Sequence, residues 1–123
     1  MAERWLVSRR RKVNDAVMFD IDDTLIRSSN DTAISHIVNL LFTSRLIGYK
    51  IVIITARRPE SRFYTEVQLA AHGIFPDVLE FCTPEQKTQM KNNLSVTHGY
   101  NFVLSVGDMP TDLGGSEKSL LIT

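Results

Sequence analysis

Short apolar runs of strand length recur along the chain, separated by longer stretches of mixed polarity. Most of these runs lack the strict apolar–polar alternation of a strand with one face in water. They therefore predict strands buried on both faces, as in a parallel sheet. The predicted strands cover residues 16–19, 50–55, 77–82, 101–107 and 119–122.

Helical patterns fill the spaces between the predicted strands. In the first, apolar residues follow i, i+3, i+4, i+7 spacing between Asp31, a candidate N-cap, and Gly48, a candidate helix end. The apolar face of this helix consists of Ile34, Ile37, Val38 and Leu41. We therefore expect the first strand to be followed by an amphipathic helix.

Two further helices are predicted, and they complete the alternation of strand and helix. One begins near Pro59 and ends near Gly73, with Phe63, Val67, Ala70 and Ala71 predicted as its inward face. The other opens with a Thr83–Gln86 capping box and ends near Gly99. The alternation predicts an α/β fold with right-handed crossovers, a Rossmann-like three-layer α/β/α sandwich around a parallel sheet of about five strands.

Length and composition restrict the class of protein. The chain has 123 residues, enough for one domain, which we assign to residues 14–123. Its 14 basic and 14 acidic residues cancel, so bulk charge does not favour a nucleic-acid or membrane partner. The lone Cys82 cannot form an internal disulfide, and no signal-peptide pattern or membrane-length apolar run is present. These features predict a cytoplasmic protein without a membrane partner.

Residues 1–13 fit the alternating pattern least well. Trp5, Leu6 and Val7 could add an edge strand or pack on a helix. The basic run at 9–12 is predicted to be a solvated segment leading into the first strand, although it also mildly favours an anionic leaving group on a substrate. We treat these residues as an N-terminal segment.

Polar residues collect where the predicted strands end. Parallel strands bring their carboxyl ends to one edge of a sheet, where ligands of open α/β sheets bind. Several carboxylates in one crevice repel one another, and a hard divalent cation such as Mg²⁺ removes that repulsion. A lysine and a threonine hydroxyl nearby suit phosphate oxygens. The residues in question are Asp20, Asp22, Asp23, Thr55, Lys87, Asp108 and Asp112.

The order of these residues resembles the haloacid dehalogenase (HAD) superfamily. Residues 20–25 match its DxDxT motif, Thr55 its strand-ending threonine, Lys87 its basic residue, and residues 107–112 its GDxxxD motif. The match spans about residues 15–115. Within the superfamily, residues 55–57 and Lys91, four positions after Lys87, resemble the acid-phosphatase-like branch.

The resemblance implies a Mg²⁺-dependent phosphatase. Asp20 would be the nucleophile that forms an aspartyl-phosphate, and Asp22 would protonate the leaving group and then activate water. The residues implied to bind substrate are Thr55, Ala56, Arg57 and Lys87. The residues implied to bind the metal are Asp20, Asp22 through its carbonyl, Asp108 and Asp112. Asp23 and Thr24 are expected to order the loop after the first strand.

The short connections leave no room for the mobile cap domain of many HAD enzymes. The resemblance therefore implies a capless HAD-like catalytic domain whose open site accepts large phosphorylated substrates, nucleic-acid ends among them, unless a second subunit of a homo-oligomer covers it. Phosphoryl transfer to another acceptor and a non-catalytic phosphate- or metal-binding role stay open. So does the choice between Lys87 and Lys91 as the phosphate-binding lysine, and Arg57 fits either an ion pair or an anionic substrate.

Overall fold

A computed structural model describes residues 2–122, which build one parallel β-sheet with helices on both faces. The strands are β1 (Asp15–Phe19), β2 (Lys50–Thr55), β3 (Val78–Phe81), β4 (Asn101–Gly107) and β5 (Lys118–Leu121). They lie in the order β3-β2-β1-β4-β5, and each neighbouring pair is parallel. All five predicted strands are confirmed, with each boundary within one residue of its predicted position.

Two apolar clusters lie on opposite faces of the sheet. Helices α1 (Ala2–Ser8), α2 (Ser35–Ile47) and α3 (Arg62–Ala71) contribute to the larger cluster. Helix α4 (Lys87–His98) covers the smaller one, which contains Ala16, Met18, Val52, Ile54, Leu94 and Phe102. Because successive strand residues point to opposite faces, both faces of β1 are apolar and buried. The predicted three-layer α/β/α fold is confirmed.

Residues 2–8 form a helix that contacts α2, so of the two arrangements considered for this segment, packing on a helix is the one observed. Leu6 is fully buried in the larger cluster, and its carbonyl oxygen accepts a 2.8 Å hydrogen bond from the Tyr49 hydroxyl. Arg9 forms a 2.8 Å ion pair with the buried Asp15 at the start of β1. The basic run therefore lies at the amino end of β1, the end opposite to Asp20. This position gives no support to the suggested preference of the run for an anionic leaving group at Asp20.

Two details of the predicted helices are wrong. Helix α2 begins at Ser35 without a side-chain cap, because Asp31 lies in a preceding turn with a φ of 61°. In α3 the buried residues are Thr65 and Leu69, whereas Phe63 and Val67 are 79% and 52% exposed. Thr65 is two residues from Phe63 and from Val67, and a step of two residues turns by more than half a helical turn. Because Thr65 faces the core, the predicted face with Phe63 and Val67 points to solvent.

The capping box before α4 is confirmed, although it heads a short 3₁₀ turn at Pro84–Gln86 that continues into the helix. Between β1 and α2, residues 20–34 form a loop with two isolated bridges, Asp22 to Ile26 and Ile26 to Ala33. Within residues 2–122 neither this loop nor the connection from α3 to Lys87 contains an inserted domain. No helix in the same range is long and apolar enough to cross a membrane.

The strand order determines where a ligand can bind. From β1 the chain proceeds to β2 and β3 on one side, then returns to β4 and β5 on the other. The order therefore reverses between β1 and β4, and such a reversal opens a crevice at the carboxyl ends of the two strands. The first residues after these strands are Asp20 and Asp108.

Candidate functional site

Asp20 lies at the bottom of this crevice. Its backbone N–H donates to the Val106 carbonyl at 3.0 Å, which continues the pairing of β1 with β4 and fixes the residue in place. The residue is only 7% exposed, and its Oδ1 accepts a 2.9 Å hydrogen bond from the Lys87 ammonium. Thr24, fully buried in the loop that follows, places its hydroxyl 3.5 Å from Oδ2. Asp20 is therefore a fixed, nearly buried carboxylate with one face toward the crevice.

Asp108 and Asp112 complete a cluster of three carboxylates. One oxygen from each of Asp20, Asp108 and Asp112 lies within 4.8 Å of the others. Asp112 is held by the Met109 N–H, which donates to its Oδ2 at 3.1 Å in the 3₁₀ turn Pro110–Asp112. Gly107 is required beside it, since a Cβ there would overlap the Asp112 side chain. This close approach lets three acidic residues from two chain segments meet.

The cluster has the donor chemistry of a divalent metal site. Carboxylate oxygens are hard ligands suited to Mg²⁺, Ca²⁺ or Mn²⁺, and the backbone leaves space for the three side chains to converge. Because like charges in a buried crevice repel one another, a cation between them would relieve the repulsion. These three aspartates can thus hold a metal ion. The carboxylate of Asp22 lies outside this group of three.

Lys87 supplies the positive charge at the centre of the site. Its Nζ donates to Asp20 Oδ1 at 2.9 Å and to Asp112 Oδ1 at 2.5 Å, and its side chain is 3% exposed. Burial acts against the charged form, but the two carboxylates raise the pKa of Lys87 above its ordinary value. The ammonium therefore stays charged and points into the crevice.

Lys91, one turn further along α4, is buried at a different place. Its Nζ donates to the Ser105 hydroxyl at 2.9 Å and to the Asp112 carbonyl oxygen at 2.6 Å. Burial, partly opposed by Asp112, lowers its pKa to about 8. Lys91 thus supports the backbone of the 3₁₀ turn, while Lys87 contacts the carboxylates.

The environment of Asp20 makes its carboxyl group harder to ionise than usual when no cation is bound. Burial raises the pKa of Asp20 to about 7, with the attraction of Lys87 opposing the rise and the negative charge of Asp112 adding to it. A bound cation would act in the opposite direction and favour the ionised carboxylate. The charge balance of the cluster therefore determines whether Asp20 carries a negative charge.

Asp22 lies at the rim of the crevice in a bidentate ion pair with Arg57. The guanidinium Nε and Nη2 atoms donate to the two carboxylate oxygens of Asp22 at 3.0 and 2.8 Å. Arg57 Nη1 donates to the hydroxyl of Thr65, which is fully buried in α3. Thr65 was absent from the predicted site. In the sequence it stands at the start of a stretch, residues 65–73, that resembles the acid-phosphatase-like branch, four positions before Leu69.

Thr55 and Ala56 follow β2 beside this pair. The Thr55 side chain is 1% exposed, and its hydroxyl oxygen accepts the backbone N–H of Arg57 at 3.1 Å. Ala56 is exposed and lines the cavity. Asp23, with a φ of 60°, accepts hydrogen bonds from the backbone N–H and hydroxyl of Ser28, which hold its pKa below the usual range. These contacts agree with the expected loop-ordering role of Asp23.

The site opens to solvent through a cavity of about 290 Å³. Most of the predicted site residues border it. The cavity is lined by Asp20, Asp22, Asp23, Ala56, Arg57, Pro84, Lys87, Asp108, Met109, Thr111 and Asp112. Thr55, though adjacent in sequence to Ala56, is not part of this lining. A second cavity of about 480 Å³ shares Asp23 and Asp108 with the first, so the crevice continues toward the start of α2.

Comparison with known proteins shows similarity in fold. No protein-family model and no curated protein matches the chain. Among solved structures, it is similar to a chain in the structure of the Pnkp1/Rnl/Hen1 complex, with a TM-score of 0.65 and 21% sequence identity. The match covers 83% of this chain and 42% of that chain, so this chain spans less than half the length of its neighbour. At this sequence identity the similarity supports the Rossmann-like α/β fold. Any conclusion about the chemistry rests on the geometry of the site.

Proposed function

We propose that this protein is a Mg²⁺-dependent phosphatase that hydrolyses phosphomonoesters through an aspartyl-phosphate on Asp20. One observation carries the proposal: the nearly buried Asp20 carboxylate lies against the Lys87 ammonium, within a cluster that includes Asp108 and Asp112. A buried carboxylate beside fixed positive charge is suited to attack an anionic phosphoryl group that water alone attacks slowly.

The metal would be held by the three clustered aspartates. Their oxygen donors suit Mg²⁺, which prefers a few carboxylates together with phosphate oxygens and water, and Asp22 would add its backbone carbonyl. When bound, Mg²⁺ would neutralise charge on the phosphoryl group and on the carboxylates.

The first chemical step belongs to Asp20 and Asp22. A carboxylate oxygen of Asp20 attacks phosphorus and forms the P–O bond of the aspartyl-phosphate, while the bond from phosphorus to the leaving-group oxygen breaks. Asp22, two residues further along the chain, enters this step protonated, with a proton taken up from solvent or from the water of the preceding turnover. It gives this proton to the departing oxygen, so the leaving group departs as a neutral alcohol.

The second step restores the enzyme. The Asp22 carboxylate takes a proton from a water molecule, and the oxygen of that water attacks phosphorus. The bond from phosphorus to Asp20 breaks, releasing inorganic phosphate and the free carboxylate. Thr55, Ala56 and Lys87 are proposed to bind the phosphoryl oxygens through the hydroxyl, the backbone and the ammonium, respectively. Lys87 already points into the crevice in the required charged form.

The exposure of the site bears on the size of the substrate. The crevice has no inserted domain above it within residues 2–122, and its rim residues Ala56 and Met109 are exposed. A phosphate on a large molecule can therefore reach Asp20, and nucleic-acid ends are among the substrates that such a site admits. The neighbour found by fold similarity is part of the Pnkp1/Rnl/Hen1 complex, which agrees with a role beside other proteins.

The first test is hydrolysis of para-nitrophenyl phosphate by the whole chain, with Mg²⁺ and with EDTA. We expect activity only with the metal, and Asp20→Asn should reduce kcat by about a thousandfold or more because it removes the nucleophile. Asp31→Asn, which removes an exposed charge outside the cavity, is the matched control. Activity that survives in Asp20→Asn would refute the proposed nucleophile. A folded, Mg²⁺-binding wild-type protein inactive on alkyl and aryl phosphates would favour a binding role instead.

A further inference from the structure

The ion pair between Arg57 and Asp22 is more ordered than is usual at a protein surface. Both contacts are short, at 3.0 and 2.8 Å, and the planar guanidinium meets the carboxylate with two nitrogens at once. The Arg57 side chain is 15% exposed, whereas that of Asp22 is 42% exposed. One partner is therefore anchored in the protein while the other faces the cavity.

Arg57 is anchored from behind by two further contacts. Its Nη1 donates to Thr65 Oγ1 at 3.1 Å, and its backbone N–H donates to Thr55 Oγ1 at 3.1 Å. Thr65 is itself fully buried and lies 3.2 Å from the Ser61 hydroxyl. Thr65 of α3 thus orients the guanidinium, while the contact to Thr55 holds the Arg57 backbone at the end of β2. A lysine could not make both sets of contacts, because its ammonium lacks the planar fork of arginine.

We propose that Arg57, oriented by Thr65, is a positioning residue that holds Asp22 toward the leaving-group oxygen. This inference rests on the proposed phosphatase function and adds a positioning residue to it. The role matters for alkyl phosphomonoesters, because their leaving groups need a proton. Arg57, predicted from sequence as a substrate-binding residue, then acts through Asp22.

Two physical reasons support this role. A half-exposed aspartate on a loop has freely exchanging rotamers, and proton transfer requires its oxygen within hydrogen-bond reach of the leaving group. The bidentate contact restricts those rotamers. In addition, negative charge develops on Asp22 as its proton moves to the departing oxygen, and the fixed guanidinium stabilises that charge where it forms.

The leaving group determines how much this assistance matters. A para-nitrophenolate is stable as an anion and departs without a proton, whereas an alkoxide does not. Loss of the positioning contact should therefore slow alkyl esters much more than aryl esters. Direct binding of the phosphoryl group by Arg57 predicts a different result, because both ester types carry the same phosphoryl group and would be affected equally.

The test compares kcat/KM for glycerol 2-phosphate and para-nitrophenyl phosphate in the Mg²⁺-loaded full chain. For Arg57→Lys we expect the alkyl-to-aryl ratio to fall by about 30-fold, a partial loss of the roughly 10²- to 10⁴-fold that a general acid contributes. Arg58→Lys is the matched control, since the Arg58 side chain is exposed and has no hydrogen bond or ion pair among residues 2–122. Its ratio should stay within about twofold of the wild-type value.

Thr65 provides the sharper comparison, because it is fully buried and can reach substrate only through Arg57. Thr65→Val keeps the shape and removes the hydroxyl, and we expect the ratio to fall by about fivefold, while Thr65→Ser restores the hydroxyl and the ratio. Far-ultraviolet circular dichroism identifies any variant that fails to fold. If Thr65→Val is among them, the pair Arg57→Lys and Arg58→Lys decides the question.

Equal losses on the two substrates in Arg57→Lys, with Asp20-dependent turnover retained, would overturn this inference and leave the phosphatase proposal standing. An unchanged alkyl-to-aryl ratio in a folded Thr65→Val variant would refute the part assigned to Thr65. Absence of Asp20-dependent hydrolysis of both substrates by the wild-type protein would overturn the phosphatase proposal and this inference together.

Discussion

At the scale of single residues, the chemistry of the site depends on burial of charge. Asp20 and Lys87 are both nearly buried and contact each other at 2.9 Å, and Asp112 shares the same ammonium. Three carboxylates and one ammonium leave the cluster with excess negative charge. Protonation of Asp20 or binding of a cation relieves it, so the two events compete.

This balance predicts how metal-free stability depends on pH. The folded-state pKa of Asp20 is about 7, against an ordinary value of 3.8, so the folded protein holds this proton more tightly than the unfolded chain does. The resulting stabilisation is present below about pH 4 and is lost as pH rises to about 7. In EDTA at pH 8, Asp20→Asn should therefore unfold about 3–6 °C above the wild-type protein, and the difference should disappear by about pH 4. Thermal melts that differ equally at all pH values would contradict the assignment.

At the scale of elements, α1 is joined to the sheet by a small polar network. The Arg9 guanidinium bonds Asp15 and lies 5.4 Å from the centre of the Trp5 ring, and the Tyr49 hydroxyl bonds the Leu6 carbonyl. Burial by itself would raise the pKa of Asp15, but hydrogen bonds from Arg9, from the Lys12 N–H and from the Asn101 amide lower it below its usual value. Asp15 thus connects the N-terminal segment to β1 and β4.

Removing this charge should weaken the attachment of α1. Asp15→Asn should lower the free energy of unfolding by about 2 kcal/mol at pH 7, because Arg9 loses its partner at a buried position. Since the folded-state pKa of Asp15 lies below 3.8, its contribution is present above about pH 4 and disappears as pH falls below its folded-state pKa. Urea unfolding at pH 7 and pH 3 measures this change. Glu60→Gln, an exposed charge without an ion pair among residues 2–122, should have little effect; an equal loss in both variants would count against the network.

Element by element, the sequence located strands better than helix faces. Strand runs such as 50–55 are apolar at every interior position. Both faces of such a strand are buried, so its prediction does not require knowing which face points to the core. Helix α3 carries apolar residues on two faces, and its pattern did not reveal that Thr65 and Leu69 face inward. The reason is tertiary: the buried Thr65 hydroxyl bonds the Arg57 guanidinium, which in turn bonds Asp22 in the loop after β1.

At the scale of the whole molecule, the site exists only when the fold is complete. The carboxylates come from the ends of β1 and β4, and the ammonium comes from α4. An ion that binds all three aspartates therefore binds the folded state in preference to the unfolded chain, in which the same residues are far apart.

Mg²⁺ should accordingly raise the thermal stability of the wild-type protein. At a concentration about ten times Kd, the mass-action gain corresponds to a Tm increase of about 3–5 °C. Asp108→Asn should abolish most of this Tm increase, because it removes one of the three clustered carboxylates. Asp31→Asn removes an exposed charge outside the cluster and should show the same Tm increase as the wild-type protein. The measurement is a set of thermal melts over a Mg²⁺ titration at fixed ionic strength. A similar increase in Asp108→Asn would place the ion elsewhere.

The sequence by itself determined the strands, the alternation with helices, and the collection of acidic residues at strand ends. These are local properties: apolar runs demand burial, capping residues mark helix ends, and parallel strands share a carboxyl edge. They were sufficient to place five aspartates at one edge of the sheet, namely Asp20, Asp22, Asp23, Asp108 and Asp112. The structure brings one oxygen from each of Asp20, Asp108 and Asp112 within 4.8 Å, whereas the carboxylate of Asp22 lies outside this group.

Only the tertiary structure decided which charges meet. Lys87 and Lys91 are four residues apart on one helix, yet one contacts carboxylates and the other contacts Ser105 and a backbone carbonyl. The same holds for Arg57, which bonds Asp22 rather than facing solvent. Such partners are distant in sequence and are selected by distance and burial, and because these quantities depend on how helices pack on the sheet, spacing along the chain cannot specify them.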